Sequence, residues 1–113
     1  MSETDLASKK CVPCSGDVPR LRGEAVAALS GQVPRWQVVE EHHLERVVFF
    51  PDFKAALAFT NAVGEVAERE GHHPDLRLSW GKVAVTIWTH KIDGLSEADF
   101  VLAAKIDRLP GAG

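Results

Sequence analysis

The stretch PDFKAALAFTNAVGEVAEREG, residues 51–71, predicts the longest helix of the chain and lies between two predicted hairpins that are loosely similar. Asp52 suits the N-cap position, and Gly71 suits the left-handed residue that follows a helix end. Apolar residues recur at helical spacing and form one stripe that faces a core: Phe53, Ala56, Leu57, Val63, Val66 and Ala67.

A pair of strands is predicted on each side of this helix. Before it, residues 36–41 and 44–50 are rich in β-branched and aromatic residues, and the polar residues between them predict a hairpin turn. After it, residues 76–80 and 83–90 alternate apolar and polar residues around Gly81 and Lys82. His90 is thereby expected to end the last strand, and His42 and His43 to be solvated residues in or beside the first turn.

Two further helices are predicted at the ends of the chain. Residues 19–30 carry apolar side chains at helical spacing before Gly31, and Ser96 followed by Asp99 has the spacing of a capping box that opens a last helix. The order α-β-β-α-β-β-α predicts an α+β fold, a four-stranded antiparallel sheet with three helices packed on one face. Residues 1–16 are expected to be a flexible tail, and residues 17–113 one domain.

Composition excludes several classes of function. The chain has 113 residues with 13 basic and 16 acidic side chains, so a net charge of −3 offers little to nucleic acid or an anionic membrane. There is no secretory signal pattern, and no apolar run approaches the roughly 20 residues of a membrane span. A cytoplasmic protein is therefore expected.

Cys11 and Cys14 form an isolated CVPC motif in the polar N-terminal segment. A redox pair of the thioredoxin type would lie between a strand and a helix, and a structural zinc site would need two more ligands. We therefore expect the pair to be incidental to activity, with metal binding, a disulfide or redox catalysis as the alternatives.

His72 and His73, between the helix stop and Pro74, are the strongest candidates for chemistry. Three interpretations remain open from the residues alone: solvated partners of the helix end, an acid–base pair, or a zinc site completed by His90. Glu68 and Glu70 lie in the last helical turn, where carboxylates oppose the helix dipole, so this is where a functional constraint would show itself.

The spacing of these residues resembles the signature of the pterin-4a-carbinolamine dehydratases. Seven positions over 32 residues match, with gaps of three, five, nine and eight residues: Glu68, His72, His73, Pro74, Trp80, His90 and Asp99. The resemblance extends over roughly residues 18–108, including GLSEADFVLAAKID at residues 94–107, and the CVPC segment resembles the start of many bacterial members. One local difference is Leu76, where animal members tend to carry tryptophan.

The resemblance implies a dehydratase that expels water from 4a-hydroxytetrahydropterin and yields quinonoid dihydropterin, without a metal or organic cofactor. It implies that His72 and His90 perform acid–base work, that His73 mainly holds the pterin, and that Glu68 supports the histidines. It also implies homodimers or homotetramers, and a functional link to an aromatic amino acid hydroxylase in pterin recycling.

Trp80 and Asp99 match the signature but also have ordinary structural roles. We expect Trp80 to contribute to packing rather than pterin stacking, and Asp99 to cap a helix rather than act in catalysis. Two alternatives to the enzyme remain open: a dehydratase-like assembly chaperone of the Rubisco type or another interaction protein, and a small metal-binding module.

Overall fold

The computed structural model describes residues 6–11 and 19–112. In chain order, the helices and strands are α1 (Gly23–Ser30), β1 (Gln37–Val39), β2 (His43–Phe49), α2 (Phe53–Glu70), β3 (Asp75–Ser79), β4 (Lys82–Ile87) and α3 (Glu97–Asp107). Two short 3₁₀ turns span Leu6–Ser8 and His90–Ile92. The predicted α+β class and element order are confirmed.

The four strands form one antiparallel sheet in the order β1-β2-β4-β3. Leu44 of β2 pairs with Ile87 of β4, and Leu76 of β3 pairs with Val85. Because side chains alternate along a strand, this register gives the sheet one face for the helices. The inward side chains are mostly apolar: Val38, Leu44, Arg46, Val48, Leu76, Leu78, Val83, Val85 and Ile87.

Helix α2 ends where local chemistry predicts. Asp52 has extended backbone and accepts a hydrogen bond from the Ala55 amide at 2.8 Å. Gly71 adopts the left-handed conformation with φ of 69°. These caps satisfy backbone groups that the helix leaves unpaired, so the predicted helix is confirmed to within two residues.

Helix α3 is buried on most of its surface, from Ala98 to Ile106. Asp107 at its last turn accepts hydrogen bonds from the indole of Trp36, at 2.9 Å, and from the guanidinium of Arg46. Arg46 is the one charged side chain on the inward face of the sheet described above, and this pairing compensates for its burial. The sheet and α3 are thereby joined by polar contacts as well as by packing.

Helix α1 begins later than expected, at Gly23 rather than at residue 19. Arg22 is extended, and the amide of Leu21 donates to the carbonyl of Leu95 at 2.8 Å. The segment before α1 therefore forms tertiary hydrogen bonds with the loop that precedes α3, and these replace the first helical turn.

The expected flexible tail differs from the structure over residues 6–11. Leu6 is buried in the core, and Lys105 of α3 donates to the carbonyl of Ala7 at 3.0 Å. The apolar side chain and this cation fix the segment against α3, which the polar composition of the tail did not indicate. The rest of the predicted tail, residues 1–5 and 12–16, lies outside the described residues.

Candidate active site

All five histidines of the chain lie at one end of the sheet. Leu44 pairs with Ile87 and Asp75 pairs with Thr86, so the starts of β2 and β3 meet the end of β4. His42 and His43 lie at the start of β2, His72 and His73 just before β3, and His90 just after β4. Since β4 lies between β2 and β3, the segment carrying His90 leaves the sheet between the two histidine pairs.

The end of α2 positions His72. The amides of Gly71 and His72 both donate to the carbonyl of Ala67, at 2.9 and 3.2 Å. The left-handed Gly71 reverses the chain, and Pro74 then restricts the backbone that enters β3. The imidazole of His72 is thereby carried on a constrained turn between two regular elements.

A fully buried carboxylate orients His72. Nε2 of His72 lies 2.6 Å from Oδ1 of Asp99, while Oδ2 of Asp99 accepts from the Ser96 amide and the Thr89 hydroxyl, both at 2.8 Å. A carboxylate can only accept, so Nε2 of His72 donates and Nδ1 is left to exchange a proton. The capping box confirms the expected cap at Asp99, and the second oxygen adds a contact with the histidine that a cap alone does not need.

His73 pairs with Glu68 at the surface. Its Nε2 lies 2.6 Å from Oε2 of Glu68, and both side chains are mostly exposed. The other carboxylate of the last turn, Glu70, lies 3.6 Å from Nζ of Lys105 and accepts from the Cys11 amide at 3.2 Å. Each carboxylate that opposes the dipole of α2 thus has a compensating partner.

His90 does not end a strand, contrary to the expectation from alternation. Strand β4 ends at Ile87, Thr89 forms an isolated bridge with Gly94, and His90 opens a 3₁₀ turn. Its ring stacks on Trp88 with centroids 4.3 Å apart and planes 13° from parallel. Its chain neighbour Thr89 bonds to Asp99, so a short polar connection links the His90 turn to His72.

Trp80 lies at the opposite end of the sheet. It occupies the β3–β4 turn, next to the Ser79–Lys82 pair, whereas the histidines lie beyond the Asp75–Thr86 pair. The intervening strand is roughly 15 Å long at 3.3 Å per residue. Trp80 is 69% exposed and lines a surface groove with Phe49 and Phe50, so the expectation that it packs in the core is wrong for the single chain.

His42 and His43 are not freely solvated turn residues. Their Nδ1 atoms are 3.1 Å apart, Nε2 of His42 lies 2.8 Å from Oδ1 of Asp93, and both side chains are mostly buried. His43 is also the first residue of β2. The interpretation of these two residues as solvated is therefore wrong, because it depended on the neighbouring sequence and not on the pairing of β2 with β4.

Sequence reasoning missed three residues around the histidines: Thr89, Trp88 and Asp93. Trp88 and Thr89 directly precede His90 in the sequence, so their proximity to His90 could have been predicted. The Asp93-Gly94 pair is a turn signal in the sequence. Its contact with His42 spans 51 residues and had no local signature.

The described residues contain no cluster of three or more histidine, cysteine or acidic side chains that could hold a metal ion.

Burial, followed by the charge of Glu70, raises the pKa of the Cys11 thiol to about 11, and Cys14 lies outside the described residues. In the described part of the chain, no helix is both long enough and apolar enough to cross a bilayer.

Comparison with protein families matches residues 19–109 to the model described as "Pterin 4 alpha carbinolamine dehydratase". A protein of Rubrobacter xylanophilus, provisionally named pterin-4-alpha-carbinolamine dehydratase, is 56% identical over 94% of this chain and 99% of its own length. A protein of Alkaliphilus metalliredigens with the same provisional name is 54% identical, over 92% of this chain and 95% of its own length.

Among solved structures, the chain is similar to a crystal structure described as a "transcriptional coactivator/pterin dehydratase" from Brucella melitensis. The TM-score is 0.73 at 29% sequence identity, and the match covers 78% of this chain and 95% of the other.

Proposed function

Because the chain belongs to the pterin-4-alpha-carbinolamine dehydratase family, we propose that it removes water from 4a-hydroxytetrahydropterin to give quinonoid dihydropterin. The observation that carries this proposal is the pairing of His72 with the buried Asp99, beside the turn that carries His90. Family membership supports the reaction, and this geometry supports the assignment of histidines to it.

The reaction breaks the C4a–O bond and the N5–H bond of the pterin. An acid protonates the departing hydroxyl group, a base takes the proton of N5, and the C4a–N5 double bond forms. The acid loses one proton and the base gains one, so a proton shift between them restores the starting state of the enzyme. Two imidazoles near neutral pH are suited to this exchange.

His72 and His90 are proposed as the acid and base. With Nε2 of His72 held by Asp99, its Nδ1 is the nitrogen that exchanges a proton with substrate. His90 is exposed and stacked on Trp88, which supports a ring held in one orientation but open to a ligand. His73 is proposed to hold the pterin, and Glu68 to fix the imidazole of His73.

No cofactor is part of the proposed step, and the pterin is the substrate. We further propose that the enzyme acts in the cytoplasm in pterin recycling, downstream of an aromatic amino acid hydroxylase.

A homodimer or homotetramer is also proposed, because Val47 and Phe49 expose 44% and 75% of their surface on the sheet face away from the helices. Light scattering on the protein as it elutes from a size-exclusion column measures the oligomeric state.

The test is dehydration of freshly generated 4a-hydroxytetrahydropterin, followed by ultraviolet absorbance, with the wild type, His72→Ala and His90→Ala. Each variant should lose roughly a hundredfold or more in kcat, the usual contribution of an acid or base. Dialysis of the wild type against a chelator should leave the rate unchanged. Circular dichroism and thermal unfolding control for the fold.

Two results would contradict the proposal at different levels. A wild type that does not accelerate dehydration beyond buffer excludes the enzymatic function. Variants that keep the wild-type rate exclude the histidine assignment but leave the dehydratase function standing.

An interaction role is the second candidate function. It is favoured by the Brucella melitensis structure, whose description includes a transcriptional coactivator, and by the exposed apolar groove at Phe49 and Trp80. An inactive but folded wild type would favour this role over catalysis.

A further inference from the structure

The turn that carries His42 has an unusual backbone. Glu40 and Glu41 both have positive φ, 55° and 53°, and the His42 amide donates to the Val39 carbonyl at 2.9 Å. Two successive residues in this conformation, typical of a type I′ turn, are uncommon without glycine or asparagine. The backbone is therefore strained at these two residues, and this turn places His42 next to His43 and Asp93.

Asp93, the partner of His42, closes the turn that carries His90. It follows the 3₁₀ turn in the left-handed conformation, with φ of 49°, and its amide donates to the His90 carbonyl at 3.2 Å. Nη1 of Arg20 donates to the Asp93 carbonyl at 3.0 Å. The hydrogen bond from His42, at 2.8 Å, is the main reason that the pKa of the Asp93 carboxyl lies below its usual range.

A second path from His42 to His90 runs through Trp88. The imidazole of His42 lies 5.3 Å from the indole of Trp88, measured between ring centroids, and the same indole stacks on His90 at 4.3 Å. His43 lies farther from the indole, at 6.1 Å. His42 thus contacts both the residue that closes the His90 turn and the ring on which His90 stacks.

We propose that His42 is a positioning residue for His90, holding the His90 imidazole on Trp88 through the indole contact and through the hydrogen bond to Asp93. The catalytic consequence rests on the proposed function, whereas the positioning itself does not. His42 would act through His90 and not on the pterin.

The neighbours of His42 define its hydrogen-bonding state. From β2 it faces His43, whose Nε2 lies 3.9 Å from Glu45, and from the end of β4 and the loop after it, it faces Trp88 and Asp93. Arg20 adds a positive charge near Asp93, and Glu41 of the same turn accepts from the Gly23 amide. In neutral His42, Nε2 donates to Asp93, so Nδ1 accepts a hydrogen bond from the protonated Nδ1 of His43.

The experiment compares His42→Ala with His42→Gln, whose side-chain amide can still donate to Asp93. The control is Glu40→Asn, an exposed residue of the same turn replaced by one that tolerates positive φ. One readout is the proton NMR shift of the His90 ring, which the stacked indole moves upfield. The other is the separate measurement of kcat and KM for dehydration.

The alanine variant should lose the upfield shift and roughly tenfold or more in kcat with less change in KM, because misplacing a proton-transfer group slows chemistry. The glutamine variant should recover most of both, and the Glu40→Asn control should retain both. An unchanged His90 shift in His42→Ala overturns the proposal. A glutamine variant no better than alanine refutes the part of the proposal that rests on the hydrogen bond to Asp93, because glutamine keeps that donor but not the ring that contacts Trp88. A wild type without dehydratase activity whose His90 shift depends on His42 refutes the proposed function but supports the positioning.

Discussion

Asp99 and His72 are 27 residues apart in sequence and 2.6 Å apart in space, and the same carboxylate caps the helix on which Asp99 lies. One oxygen serves the capping box and the other serves the imidazole. Stability and orientation of the candidate acid–base residue therefore depend on a single buried side chain.

Replacing Asp99 with asparagine should impair both roles. One carboxylate oxygen becomes an NH₂ group, which cannot accept a hydrogen bond. Depending on how the asparagine amide is oriented, either the Ser96 amide or Nε2 of His72 loses its acceptor. We expect the free energy of unfolding to fall by about 1–3 kcal/mol, because a buried donor loses its partner. By analogy with carboxylates that orient metal-bound histidines, kcat should fall roughly 10- to 100-fold. Urea unfolding and steady-state dehydration measure the two effects.

Ser96→Ala is the matched control for Asp99→Asn. It removes the hydroxyl at the N-cap but leaves the backbone amide that Asp99 caps. It should cost about 1 kcal/mol of stability, the usual value of an N-cap side chain, with kcat close to wild type. Equal losses of kcat in both variants would mean that Asp99 acts only as a cap.

Gly71→Ala tests the backbone that precedes His72. A Cβ added at Gly71 would meet no atom within 4 Å, so the cost arises from φ of 69° and not from crowding. We expect a loss of about 1–2 kcal/mol in the free energy of unfolding for alanine and a smaller loss for asparagine, which tolerates this conformation. Equal losses for the two variants would contradict a conformational cause.

The caps of α2 and α3 could be predicted because they depend on residues a few positions apart. Asp52, Gly71 and the Ser96–Asp99 spacing are local signals, and the structure bears them out. His90 was misplaced for the opposite reason. The bridge between Thr89 and Gly94 ends the alternation after Ile87, and strand alternation in the sequence gives no warning of it.

The relation between the two histidine pairs could not be predicted, because it depends on strand order. Each predicted hairpin is local, but the pairing of β2 with β4 joins the two hairpins across α2. Only that pairing brings His42 to the same sheet end as His72. The contact of His42 with Asp93 likewise depends on the loop after β4 and not on any nearby residue.

The thiol of Cys11 should react more slowly than the thiol of an ordinary exposed cysteine. Burial raises its pKa from 9.0 to about 11, so the thiolate fraction at pH 8 should be lower by about a hundredfold. Alkylation by iodoacetamide in a Cys14→Ser variant, followed by mass spectrometry, should be slower in the folded protein than in urea by a similar factor. Equal rates in the two states would contradict burial of the thiol.

The raised pKa of Cys11 also predicts how the stability of the fold changes at alkaline pH. Between pH 9 and 11 the unfolded chain releases the Cys11 proton before the folded chain does. The free energy of unfolding should therefore fall as the pH rises through this window, and Cys11→Ser should reduce that fall. Urea unfolding at pH 8 and pH 10.5 measures the difference between the two proteins.

The long sequence separations at the histidine end of the sheet have a consequence for synthesis of the protein. Asp93 and Asp99 follow all five histidines in the chain, and α3 follows all four strands of the sheet. On the ribosome, both hairpins and α2 emerge before either carboxylate is available to His42 or His72. During synthesis, His42 and His72 can therefore gain their hydrogen bonds to Asp93 and Asp99 only after all four strands have been made, and each bond closes a long loop at a cost in chain entropy.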